Sequence, residues 1–305
     1  MVPEGVPVTA PGTAPVEYRD RHTIFGDLRE SIADIRSHGE LLAQLTSRDI
    51  KLRYKQAVMG FAWAIFMPVL IVMAGLVVRL AMAYVSGKPL SVDGMAGVAV
   101  KALPWAFFVG AVGFASNSLI SNQALVSKVF FPREVLPLSA VLAQGFDTAV
   151  GAVALTIALP FLGATLSPAL LWIVPLALLL LILTTAICLF LACSNLFFRD
   201  VKYIVQVLLT FGIFFTPVLF DAPMLGERIA PLVMLNPLAP ILEGLRLAII
   251  EGHNLLEPLR VIEGGKLVEL WSPWLLLWSA GVGLVGLILS ISMFRRLQYL
   301  FAEWI

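Results

Sequence analysis

Long apolar runs dominate this chain, and they leave few ways for it to fold. They recur about six times between residues 61 and 294, each near the ~20 residues that a bilayer core demands. In lipid, every backbone N–H and C=O must be satisfied within its own segment or in a closed barrel, and runs of this length favour the helix. The expected spans are 61–85, 102–119, 135–159, 170–192, 204–220 and 273–294. The fifth is the weakest, because Gly212 and Pro217 interrupt a short run. Composition agrees: 59% of residues are hydrophobic and 13% charged, with mean hydropathy +0.92. A soluble domain carries nearly twice that charge, roughly 25%. The fold class is therefore an all-α integral membrane protein with about six transmembrane helices.

An amphipathic segment precedes the first span. At about 100° per residue, Ile50, Tyr54, Ala57, Val58 and Phe61 share one side of a helix. Arg48, Lys51 and Lys55 form a rail along the edge of that side, while Asp49 and Arg53 project elsewhere. This distribution suits a helix lying on an anionic cytoplasmic leaflet and running without a break into the first span. Thr46, three residues before Asp49, is the expected N-cap.

Residues 1–30 read as a cytoplasmic tail, rich at first in Pro, Gly and small residues and with nothing to pack. They lack the basic and apolar regions of a signal peptide. Residues 31–60 hold the interfacial helices and residues 61–305 the membrane domain. Cys188 and Cys193 sit within an apolar run and read as small buried hydrophobes. His22, His38 and His253 are too scattered for a metal site.

Orientation follows from the basic residues. Arg48–Lys55, Lys128 with Arg133, Arg199 with Lys202, and Arg295 with Arg296 fall on one side if the spans alternate. The other side carries Lys88, Lys101 and a long segment, 221–270, in which acids outnumber bases. Basic loops stay in the cytoplasm, so both termini are expected there and the acidic segment outside.

That segment contains 236–252, which opens on prolines and closes on Gly252, the start and stop signals of a helix. Ile241, Leu242, Leu245, Ala248 and Ile249 share a face, with Glu243 and Arg246 pointing away. It is too short and charged to span, and reads as a re-entrant or gate helix between the fifth and sixth spans. Catalytic chemistry is missing. Gly87 and Lys88 lead into Pro89 rather than a phosphate-binding loop, and no Ser/His/Asp set or zinc spacing occurs. Energy for any transport must come from elsewhere.

Five blocks carry a family resemblance. The segment 48–55 (Arg-Asp-Ile-Lys-Leu-Arg-Tyr-Lys), followed by Gly60, Trp63 and Pro68, resembles the interfacial helix and first span of polysaccharide-exporting type-2 ABC transporter permeases. The likeness continues at 128–137 (Lys-Val-Phe-Phe-Pro-Arg-Glu-Val-Leu-Pro), 195–203, 215–220 and 236–240 with Glu243 and Arg246. The blocks keep the family's order across residues 40–300 and leave the proline-rich tail outside. The resemblance implies half of a homodimeric pore, paired with two copies of a nucleotide-binding ATPase that holds the ATP and magnesium. This chain itself then binds no cofactor. The implied cargo is an undecaprenyl-linked glycan such as O-antigen, with capsule and teichoic acid polymers as sister cargoes; membrane lipids surround it, and no nucleic acid is involved. Export of a small lipophilic compound, and a glycan-modifying membrane enzyme, are the alternatives.

The resemblance makes Lys128, Phe130, Phe131, Pro132, Arg133 and Glu134 the ATPase-coupling segment, and Arg48, Lys51, Arg53, Tyr54 and Lys55 the interface helix. Arg79, Asp147, Gly212, Pro217, Glu243 and Arg246 are the pore or gate candidates. Asp147 lies about 18 Å into the third span at 1.5 Å per residue. A carboxylate at that depth is either functional or a packing polar held with Gln144 and Thr148. Arg79, near the outer end of the first span, either snorkels or meets an anionic group of the cargo. Aromatics such as Trp63, Trp105, Phe211, Phe214 and Phe215 can stack on sugars along a pore or simply pack.

Overall fold

The computed structural model describes residues 24–55, 60, 62–87, 92–129, 131–162, 167–263 and 266–301. Phe130, and residues 1–23 of the expected tail, lie outside them. Helices build the chain, as expected, with one addition near its end: a β-hairpin.

Helices α1 (Ile24–Ser37) and α2 (Gly39–Tyr54) come first. The stretch 24–30, read as tail, belongs to α1 because its charges are used. Asp27 is buried and accepts from Ser292 Oγ at 2.9 Å, while Arg295 reaches Asp34 at 2.5 Å and Glu30 at 3.2 Å. Thr46 lies inside α2, donating back to the Leu42 carbonyl at 2.8 Å, so it is not the helix start. Nor does α2 run on into the membrane. Lys55 is extended and Gly60 takes φ +49°, a left-handed conformation that glycine adopts without a Cβ clash.

The helices that follow are α3 (Ala62–Ser86), α4 (Val92–Ala115), α5 (Ser118–Ser121), α6 (Gln123–Lys128), α7 (Val135–Ala158), α8 (Ile173–Phe197) and α9 (Val201–Phe215). After them come α10 (Gly226–Met234), α11 (Leu238–Ile249), β1 (Leu259–Glu263), β2 (Lys266–Trp271) and α12 (Trp274–Leu297). Among the described residues, five helices are long and apolar enough to cross a membrane: α3, α4, α7, α8 and α12, with α7 and α8 each extended by a flanking 3-10 turn. The expected fifth span is different. Helix α9 has 15 residues and stops at Phe215 instead of reaching 220, about 22 Å against the ~30 Å of a hydrocarbon core. The second span starts at Val92, not 102, and so takes Lys101 into the helix.

Two cores organise these helices. At one end, Leu45, Leu119, Val126, Leu136, Leu196, Phe294 and Phe301 pack together. This brings the end of α12, the α5–α6 turn, the start of α7 and the end of α8 to the same end as α2. The larger core surrounds α11, which is buried along its whole length. An added Cβ at Gly244 would sit 3.2 Å from Trp271 and 3.3 Å from Leu176, so the missing side chain lets α11 settle against both. Trp271, fully buried at the end of β2, donates its indole N–H to the Leu255 carbonyl at 2.9 Å. The hairpin pairs β1 with β2 antiparallel, with Glu263 opposite Lys266.

Candidate functional site

Three charged junctions hold the helices together, and they redistribute the residues that the sequence singled out. The first joins α2 to α7. Asp49 accepts from Ser139 Oγ at 2.9 Å. Arg53 pairs with Asp147 at 2.5 Å and donates to Gln144 Oε1 at 2.8 Å, while Tyr54 donates to the other Asp147 oxygen at 2.5 Å. The Arg53 guanidinium also lies over the Phe114 ring, 4.0 Å from its centroid. The face of α2 that seemed to project elsewhere is therefore its packed face. Asp147 is held by α2, while Thr148 donates to the Gln144 carbonyl of its own helix. Arg48 lies 2.8 Å from Asp49, while Lys51 and Lys55 are exposed, leaving the cationic rail on the open side.

The second junction lies in the other half of the membrane domain, centred on Asp221. Arg79 and Lys101 each lie 2.7 Å from one of its oxygens, and Lys101 also donates to the Phe220 carbonyl at 2.6 Å. Arg246 stands 3.6 Å from Asp221, 2.7 Å from Glu243 and 2.6 Å from Glu251. Arg79 does not snorkel: it is buried and committed to a carboxylate. Glu243 and Arg246 do not point away; both are buried in the cluster, with Glu243 3.6 Å from Lys101. Lys101, expected in a loop, is fully buried in α4. A buried charge survives only with partners of this quality. Removing any member strands the others. Gly97 gives Arg246 room, since an added Cβ would approach its Cδ to 3.0 Å.

Asp221, Lys101 and Glu251 were not among the sequence candidates. The signal was Lys101 itself, a cation in an apolar stretch that required a carboxylate nearby. Pro217 is buried in the turn that ends α9, and Asn236 donates to Thr216 at 3.0 Å to tie that turn to the start of α11. Gly212 faces Trp105, whose ring would lie 3.1 Å from an added Cβ. An apolar cavity of about 450 Å³ opens beside them, between α4, α8 and α9.

The third junction is the turn between α6 and α7. Lys128 and Val129 are exposed, whereas Phe131 is half-buried against the first core. Arg133 donates to the carbonyls of Gln298 and Val126, the latter at 3.3 Å, and lies over Phe301. Glu134 is buried 3.4 Å from Arg295. Burial pushes its carboxyl above the usual range, against the pull of that guanidinium. Two residues read as docking charges thus stitch the turn to the end of α12. Of the described residues in this turn, only Lys128 and Val129 are exposed.

Residues 40–250 match the ABC-2 type transporter family. The chain belongs to that family. The expectation of a type-2 ABC transporter permease, drawn from five short blocks, is borne out. The chain is similar to an O-antigen export system permease protein RfbA of Klebsiella pneumoniae, 26% identical over 265 residues, covering 87% of this chain and 94% of the relative. A second Klebsiella pneumoniae RfbA is 27% identical over 266 residues, with the same coverage. The Myxococcus xanthus RfbA is 29% identical over 251 residues, covering 79% of this chain and 92% of the relative.

Proposed function

We propose that this chain is the permease subunit of an ATP-driven exporter that moves undecaprenyl-linked O-antigen from the cytoplasmic to the outer face of the bacterial inner membrane. The observation that carries the reading is the similarity to three O-antigen export permeases over 79–87% of this chain, alongside a family match over residues 40–250 that takes in the α6–α7 turn and the buried α11. The sequence holds no phosphate-binding loop, so two copies of a partner ATPase supply the energy. A second copy of this chain completes the pore. The exposed apolar side of α9, with Leu208, Phe211 and Phe215, supports that assembly.

In this reading the basic end of the bundle and both termini are cytoplasmic, and α2 lies at the inner leaflet. The α6–α7 turn receives the ATPase. The break after α9, the Pro217 turn and α11 form the outer gate. Irregular backbone at membrane depth is tolerated only inside protein or beside a cavity, and here it is buried beside a cluster of charges.

Deletion of the gene tests the reading. Undecaprenyl-linked O-antigen should accumulate inside the cell and disappear from the surface, and the intact gene should restore it. Normal surface O-antigen in the deletion strain would overturn the reading, and accumulation of a capsule or teichoic polymer instead would reassign the cargo.

A further inference from the structure

A second cavity, of about 400 Å³, opens between the end of α2, the start of α3 and the facing sides of α4 and α7. It is of a size that holds small ligands. Its floor is polar, made by Arg53, Gln144 and Asp147, and its walls are aromatic, with Trp63, Trp105 and Phe114.

The charge balance of the floor limits what can enter. Arg53 and Asp147 neutralise each other at 2.5 Å. An anion would have to separate Arg53 from Asp147, and a cation would have to displace Arg53; either leaves a buried charge unpaired. A hydrocarbon chain would leave the floor's polar groups facing apolar atoms, which is costly as well. A neutral hydroxylated ring meets neither objection. Its hydroxyls donate to carboxylate oxygens and accept from the guanidinium and from the two N–H donors of the Gln144 carboxamide. Its C–H faces lie against indole and phenyl rings.

An independent observation concerns Gly110. An added Cβ there would come within 2.4 Å of Gln144 Oε1, so glycine is what allows the carboxamide to lie across α4 at the cavity. Any other residue would push Gln144 aside.

We propose that this cavity is a binding site for one neutral sugar ring of the exported polymer, occupied in the cytoplasmic half of the permease before the polymer passes outward. The proposal rests on the polysaccharide reading above. Its test uses the full permease with its ATPase in cells, the ATPase carrying a substitution that stops hydrolysis. A photo-crosslinking p-benzoylphenylalanine replaces Met67, a lining residue outside the floor and aromatic walls, or Val153, which is exposed on α7. After irradiation, the purified permease is probed with an antibody against the cell's O-antigen.

Glycan on the Met67 variant and not on the Val153 variant is expected. Gln144→Leu and Gly110→Ala should each lower that adduct about fivefold, the scale of one lost hydrogen bond. Co-purification of the ATPase controls for folding. A Met67 adduct free of glycan, in a strain whose active form still exports O-antigen, would overturn the sugar site and leave the export reading standing. Unchanged adduct yield in both Gln144→Leu and Gly110→Ala would also overturn it. Normal export in cells lacking the permease would remove the polysaccharide reading, and this site with it.

Discussion

Lys101 Nζ lies 2.7 Å from Asp221 Oδ1, across 120 residues of sequence. The pair sets the position of the half of the molecule that holds α11. Lys101 stands about 14 Å along α4 from its start and Arg79 about 10 Å from the end of α3. The chain after α9 brings Asp221 between them, and Arg246 of α11 closes the cluster.

Asp221→Ala should therefore be among the most damaging single changes, since it leaves Arg79 and Lys101 buried without their shared carboxylate. Breaking a buried pair costs about 3–5 kcal/mol. The expected result is a lowered thermal midpoint in detergent and loss of export. Lys101→Met combined with Asp221→Asn should recover part of that loss, because neighbours in one network are not additive. Strict additivity of the two single changes would show that the pair is not coupled.

Sidedness can be read with single cysteines. Val129 and Leu256 are both exposed, on opposite ends of the bundle, while Cys188 and Cys193 are buried. In a protein lacking the two native cysteines, an impermeant maleimide applied to spheroplasts should label position 256 and spare 129. Labelling of 129 from outside would invert the topology.

The extent to which the sequence announced this fold depended on where each residue found its partner. Apolar runs have one economical conformation in lipid, so α3, α7, α8 and α12 were legible at once. Residues that are polar yet internally paired were not. Lys101 looked like a loop residue because its carboxylate comes from another element far along the chain. Glu243 and Arg246 looked solvated because a helical wheel shows only their own helix. The hairpin had a local signal, alternating residues around Gly264 and Gly265, which its charges obscured. Gly60 likewise marked the break before α3. The coupling turn was legible as a place, but which of its charges face inward was fixed only by the end of α12.

That inward orientation changes what substitutions in the turn should do. Arg133 holds the Gln298 and Val126 carbonyls, so Arg133→Glu should act by detaching the end of the chain. The loss of ATPase binding should be insensitive to salt, whereas a rim charge would be screened. Arg295→Ala removes the cation shared by Glu30, Asp34 and Glu134, and should lower export more than ATP hydrolysis. Glu134→Gln should leave the fold intact, because burial already disfavours its charge. Equal loss of hydrolysis and export in Arg295→Ala would show that it serves only to hold the ATPase in place.

The stretch of the turn before Pro132 is the docking candidate. Lys128 and Val129 are exposed, and Phe131, half-buried, follows Phe130 in a stretch that Pro132 restrains. Adjacent phenylalanines at a membrane surface anchor poorly beside Trp or Tyr, which favour the headgroup level, but they fill a protein groove well. Buried aromatic anchors are the residues whose truncation costs on the order of 2 kcal/mol or more. Phe130→Ala with Phe131→Ala should release the ATPase on purification. The permease should remain folded, because the core behind Phe131 rests on Leu136, Leu196 and Phe294, which the double variant leaves in place. Glu134 and Arg295 would still stitch the turn to α12. Co-purification of the two subunits and surface O-antigen are the measurements. Full ATPase binding with full export in the double variant would reduce this stretch to an ordinary connection.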